Sequence, residues 1–159
     1  MTNSGRKGNR GTIRVYADMV ADLFHYGHIE FLRQASEMGD YLIVGINGDD
    51  VAEVHKRRPI HSMEQRIASV RACEYVDEVI PNAPWLFDPT WIEKYNLSLV
   101  AHGDDHSDER AREIYRVPIE SGIFRTVPYT KGISTTQLIH QRNKQQVKLN
   151  TRTSPCNRG

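Results

Sequence analysis

Cysteine is almost missing from this chain, with two in 159 residues, Cys73 and Cys156. A pair so widely spaced builds neither a disulfide framework nor a zinc site. Cys73 lies in an apolar helical stretch and reads as a small buried residue. An excess of one charge is missing too. Twenty-one Lys and Arg face 20 Asp and Glu, a net charge of +1, so no global field recruits nucleic acid or an anionic membrane. No apolar run reaches the roughly 18 residues of a bilayer span, and no signal-peptide pattern opens the chain. A cytoplasmic location is therefore expected.

What is present is a globular composition, 38% hydrophobic and 26% charged, diluted by two basic ends, "MTNSGRKGNRG" and "HQRNKQQVKLNTRTSPCNRG". Neither end shows apolar periodicity. The predicted division is a disordered basic arm over 1–11, one domain over 12–142 and a flexible tail over 143–159. Within the domain, β-rich runs alternate with helical segments. Strands are predicted over 12–18, 41–47, 75–81, 97–103 and 123–129, the third ended by Pro81. Helices are predicted over 27–39, 62–74, 89–96, 108–122 and 134–146, the fourth of them broken near Pro118. Ser62 fits as a helix N-cap, with Gln65 placed to complete a capping box. The run "YLIVGIN" (41–47) is apolar throughout, as a central parallel strand covered on both faces should be. Such alternation specifies an α/β fold, a Rossmann-like doubly wound parallel sheet of five strands in a single domain. Its ligands bind at the carboxyl ends of the strands.

Two histidines stand just where the first helix begins, in "DLFHYGH". His28 follows His25 by three residues, so one helical turn lets both face one way. Gly27 removes a side chain and lets a ligand approach the backbone. A helix amino terminus adds unpaired amides and a positive dipole, so the group reads as an anion site with two imidazole donors. The plainer reading makes one histidine a helix cap and the other a surface residue. A zinc site lacks a third ligand at metal spacing. The segment "KGISTTQLI" (131–139) puts a glycine and three hydroxyls at the start of the last helix. These groups also suit phosphate oxygens, and two helix starts can flank one crevice.

H-x-G-H after a first strand, with G-I-S-T-T opening the last helix, resembles the cytidylyltransferase family. Its members include the choline-phosphate, ethanolamine-phosphate and glycerol-3-phosphate enzymes. "RVYAD", "DLFHYGH", "GDYLIVGI", "YVDEVIPNAPW" and "LVAHGDD" are similar to the choline and ethanolamine branches, and the likeness runs from about Arg14 to Ile139.

The resemblance implies that CTP and a phosphorylated alcohol combine to a CDP-alcohol and pyrophosphate, a reaction governed by positioning and charge neutralisation. It implies catalytic roles for His25, His28 and Lys56. It implies nucleotide contacts from Ala21, Asp22, Gly27, Gly132, Ile133, Ser134, Thr135 and Thr136. A magnesium ion bridging phosphate oxygens is expected, and so is a homodimer. For the acceptor, the resemblance points to Trp85, Asp104, Asp105 and Tyr115. Core packing is the plainer role for the two aromatics. "HGDDHSDER" lacks the cage tyrosine of the choline enzyme, and carboxylates suit a primary ammonium, so ethanolamine phosphate is favoured. Glycerol-3-phosphate, choline phosphate or a phosphonate as acceptor, an ATP-dependent relative and a non-catalytic nucleotide binder are the rival readings. Two positions that are basic in the family carry Glu74 and Tyr129 here, with Arg71, Arg125 or Lys131 as replacements.

Overall fold

Strand β1 (Arg14–Met19) is buried at its four middle positions and alternates between two apolar clusters. Val15 and Ala17 enter one, Tyr16 the other. Strand β2 (Tyr41–Asn47) repeats the pattern, with Leu42, Val44 and Ile46 on the first face and Ile43 on the second. Strands covered on both sides need no polar face, which is why 41–47 is apolar throughout. Gly45 in β2 is a packing requirement. A Cβ there would stand 2.3 Å from the Tyr16 hydroxyl and 2.9 Å from the Ala83 Cβ. Tyr16 can lie across β2 only because the position is glycine.

β3 (Glu78–Ala83), β4 (Leu99–Gly103) and β5 (Phe124–Val127) complete the sheet, in the order β3-β2-β1-β4-β5 with every pairing parallel. This is the expected Rossmann-like architecture. The chain winds outward from β1 to β3, then returns to the far side of β1 with β4. The reversal falls between β1 and β4, and in such sheets the ligand crevice opens at that point. The computed structural model describes residues 11–104, 107–128 and 135–152. Helices α1 (Tyr26–Ser36) and α3 (Met63–Arg71) place Leu32, Ala35 and Val70 in the first cluster. α4 (Trp91–Lys94) and α5 (Asp108–Ile114) place Trp91 and Ile114 in the second. Ser62 caps α3 with the predicted box, accepting from the Gln65 amide while Gln65 Oε1 accepts from the Ser62 amide. Among the described residues no helix is long and apolar enough to cross a membrane.

The elements depart from prediction in four places. Pro81 lies inside β3 rather than ending it, because β3 is an edge strand. The register against β2 shifts there, with Asn82 at φ 53, so an imino acid sits at a bulge without costing a ladder bond. Helix α2 (Asp49–His55) was not foreseen. It buries only Ala52 and starts at Gly48 without a side-chain cap, so neither periodicity nor capping chemistry marks it. The predicted helix over 108–122 breaks at Tyr115, not Pro118. Pro118 falls in the first turn of α6 (Arg116–Glu120), where an amide is not needed. Finally, α7 (Thr135–Arg152) runs beyond 146.

Candidate active site

At the end of β1 the backbone makes a bend that L-residues disfavour. Ala21 (φ 57) and Leu23 (φ 48) both occupy the left-handed region, at a cost on the order of 1 kcal/mol or more each. Two buried side chains hold the bend. Arg66 from α3 has no exposure. It donates to the carbonyls of Val20 (2.8 Å) and Asn47 (2.9 Å) and pairs with Asp49, joining the ends of β1 and β2 to the start of α2. Asp22, only 3% exposed, accepts from the amides of Ile60 (3.0 Å) and His61 (2.9 Å) and from the Arg57 guanidinium (2.7 Å). Burial works against its ionisation, but those donors outweigh it and hold the carboxyl below the usual range. The resemblance put Asp22 on the nucleotide. In the fold its carboxylate is turned onto the loop that carries Lys56, and Ala21 is buried.

The histidines follow directly. His25 is the N-cap of α1, its Nδ1 accepting from the Gly27 amide at 3.0 Å. His28 Nδ1 accepts from the His25 amide at 3.1 Å. A nitrogen that accepts a backbone N–H carries no proton, so in each neutral ring the proton sits on Nε2. The rings lie 4.1 Å apart, and Phe24 stacks on His28 at 5.3 Å. Burial lowers the His28 pKa to about 3, helped by the neighbouring His25 and Lys56. Burial lowers that of His25 as well. Two neutral imidazoles therefore present Nε2–H donors side by side. Such a pair suits phosphate oxygens and, with Nδ1 engaged and Nε2 protonated, is unsuited to ligating a metal. The cap and the donor are one residue here, which merges the two readings of the pair. The Gly27 amide, for its part, is spent on the cap.

Lys56 closes α2, and its charge is felt at His28. Its Nζ stands 5.8 Å from the centre of the Trp85 ring. Trp85, past the end of β3, stacks on His55 at 4.4 Å with the planes 5° apart, and the Arg110 guanidinium lies 5.7 Å from the same ring. An open cleft of about 450 Å³ lies here, lined in part by His55, Trp85, Glu109, Arg110 and Glu113. Tyr115 does not line it. That ring is 2% exposed in the second cluster, and its hydroxyl donates to Asp18 Oδ1 (2.5 Å) and takes a bond from His102 Nδ1 (2.7 Å). Asp104 is exposed, its amide donating to Val127. Asp105, Gly132, Ile133 and Ser134 lie outside the described residues, as do Tyr129 and Lys131. Thr135 and Thr136 open α7 as predicted. Neither described substitute for the missing cations comes to the site. Arg125 bonds the carbonyls of Gly122 and Phe124, and Arg71 is exposed at the end of α3. Sequence reasoning missed Arg66, His55 and Arg110. Of these, only His55, adjacent to Lys56, carried any local signal.

Residues 17–141 match the cytidylyltransferase-like family. This chain belongs to that family. Among curated relatives, it is 38% identical over 127 residues to a probable ethanolamine-phosphate cytidylyltransferase of Schizosaccharomyces pombe, covering 79% of this chain and 35% of that protein. It is 42% identical over 134 residues to the ethanolamine-phosphate cytidylyltransferase of Arabidopsis thaliana, covering 80% and 32%. It is 37% identical over 141 residues to human choline-phosphate cytidylyltransferase A, covering 84% and 38%. The chain thus spans about a third of the length of the curated relatives it matches. Among solved structures, a lipopolysaccharide core biosynthesis protein from Thermoplasma volcanium superposes with TM-score 0.63 at 26% identity, over 77% of this chain and all of that one. A pantothenate synthetase from Thermus thermophilus shares the fold alone (TM-score 0.56, 10% identity, 84% of this chain and 64% of that one). The histidine pair stands just past the end of β1, the position at which such a fold opens its ligand crevice.

Proposed function

We propose that this chain transfers a cytidylyl group from CTP to ethanolamine phosphate, giving CDP-ethanolamine and pyrophosphate. The observation that carries the reading is the pair of neutral imidazoles, each held at Nδ1 by a backbone amide so that Nε2–H is left as the donor. An acceptor phosphate oxygen attacks the α-phosphorus of CTP as the bond to the bridging oxygen breaks, and pyrophosphate leaves with that electron pair. Negative charge gathers on the α-phosphate oxygens during the displacement. Preformed donors aimed there lower the barrier without reorganising. Lys56 adds a full positive charge beside them. Neutral histidines keep that lysine from being repelled, which a pair of imidazolium ions would not.

Magnesium enters this proposal as part of the nucleotide substrate. In this reading the phosphates supply ligands to the ion. Bound there, the ion neutralises phosphate charge. The ethanolamine-phosphate names of several relatives at 38–42% identity support the acceptor, as do the carboxylates near Trp85. A cytoplasmic location and a homodimer complete the proposal, and sedimentation of the purified chain at twice its 18.3 kDa mass is the expected result for the latter.

The deciding experiment is pyrophosphate release with CTP or ATP across ethanolamine phosphate, choline phosphate, glycerol-3-phosphate and 2-aminoethylphosphonate. CTP with ethanolamine phosphate should give the largest kcat/KM. Faster release with ATP would move the chain to adenylyl transfer. CTP binding without release from any acceptor would make it a non-catalytic nucleotide binder.

A further inference from the structure

The cleft beside Trp85 carries both signs of charge. Lys56 and Arg110 approach the indole, and Glu109 and Glu113 line the same space. Ser107 fixes the start of α5 by accepting from the Arg110 amide, so Arg110 and Glu113 sit one turn apart on one side of the helix. We propose that Arg110 and Glu113 read the two ends of a zwitterionic acceptor, Arg110 taking the phosphate together with Lys56 and Glu113 the primary ammonium. The proposal rests on the cytidylyltransferase reading above and assigns the acceptor's orientation and two binding residues to it.

The orientation follows from the chemistry. The attacking atom is an oxygen of the acceptor phosphate, and Lys56 is the cation whose charge reaches His28. The phosphate end must therefore lie toward Lys56, leaving the amine to point toward the carboxylates of α5. Arg110 is well suited to the phosphate because its planar fork donates two parallel hydrogen bonds. Its stance over the indole, itself backed by His55, holds the guanidinium ready before the ligand arrives. A cleft of about 450 Å³ is within the range of small-molecule sites. Phosphate or ethanolamine alone satisfies only one of the two charges, so the zwitterion should bind more tightly than either.

Calorimetric titration tests this on the whole chain with ethanolamine phosphate, inorganic phosphate and CTP. Arg110→Gln should raise the Kd for ethanolamine phosphate and for inorganic phosphate by about tenfold or more, the scale of one charge-assisted bond. Arg110→Lys should recover part of it. Glu113→Gln should weaken ethanolamine phosphate comparably and leave inorganic phosphate unchanged. CTP should bind within about twofold of wild type in all three. The assignment is overturned if wild type binds no ethanolamine phosphate, if Arg110→Gln leaves both phosphate ligands untouched, or if the variants weaken CTP as much as the acceptor. The expected binding pattern without pyrophosphate release would sink the enzyme reading and keep the cleft. Turnover of ethanolamine phosphate with unchanged KM in both variants would sink the cleft and keep the enzyme.

Discussion

His25 does two jobs, and the structure shows how to separate them. Its Nδ1 caps α1 through the Gly27 amide, and its Nε2–H is left to donate to a ligand. Removing the ring in His25→Ala should cost both. Loss of an N-cap bond is worth roughly 0.5–2 kcal/mol, or a fall in Tm of about 2–4 °C per kcal/mol for a chain of this size. Loss of one preorganised donor to a transition-state oxyanion is worth roughly 2.7–4 kcal/mol, a drop of about a hundred- to a thousandfold in kcat. His25→Asn is the informative variant, because asparagine is among the best N-caps but its short amide cannot reach where Nε2 stood. It should regain most of the stability lost in alanine and almost none of the turnover. The assays are thermal unfolding and pyrophosphate release on the same preparations. If asparagine restores turnover as well as Tm, the imidazole is only a cap and the donor argument is wrong.

Three further outcomes are expected. Stability should fall as pH drops from about 6.5 toward 3, because His28 stays neutral in the fold while its unfolded counterpart takes up a proton. One such group gives a slope of at most about 1.4 kcal/mol per pH unit, and a urea midpoint that is flat between pH 7 and pH 4 would contradict it. In the loop, Lys56→Ala should cut kcat most and Arg58→Ala, whose guanidinium pairs with exposed Glu53, least. Arg57→Ala should lower Tm as well as turnover because it removes the guanidinium that donates to buried Asp22, and three equal, mild losses would reduce the loop to solvated charge. Arg66→Met should destabilise by about 2–4 kcal/mol, since the Val20 and Asn47 carbonyls lose their buried donor. A urea titration showing less than about 1 kcal/mol of loss would mean water takes its place readily.

Some of this molecule is written locally. β2 is legible because burial on both faces leaves no polar position to disguise it, and α3 because Ser62 and Gln65 state its start in side-chain chemistry. The histidine pair is legible for the same reason, since its spacing, its glycine and the helix that follows all lie within one short segment. Prediction failed where local chemistry was silent. α2 buries a single alanine, and Tyr115, at which the predicted fourth helix breaks, bonds Asp18 and His102, partners 97 and 13 residues away in the chain.

By itself, then, the sequence determined the alternation that makes a doubly wound sheet and the tandem imidazoles at the end of its first strand, because period, capping and motif are properties of neighbours in the chain. Tertiary structure alone decided what those groups are bonded to. Asp22 faces a loop 35 to 39 residues downstream. Arg66 reaches back 46 residues to Val20. Trp85 meets His55 and Arg110 from opposite directions in the sequence. Those pairings are set by the order of strands in the sheet and by which helix covers each face, and no local pattern encodes them. The same is true of the proton on each Nε2, which follows from a backbone amide arriving at Nδ1 once the helix has formed.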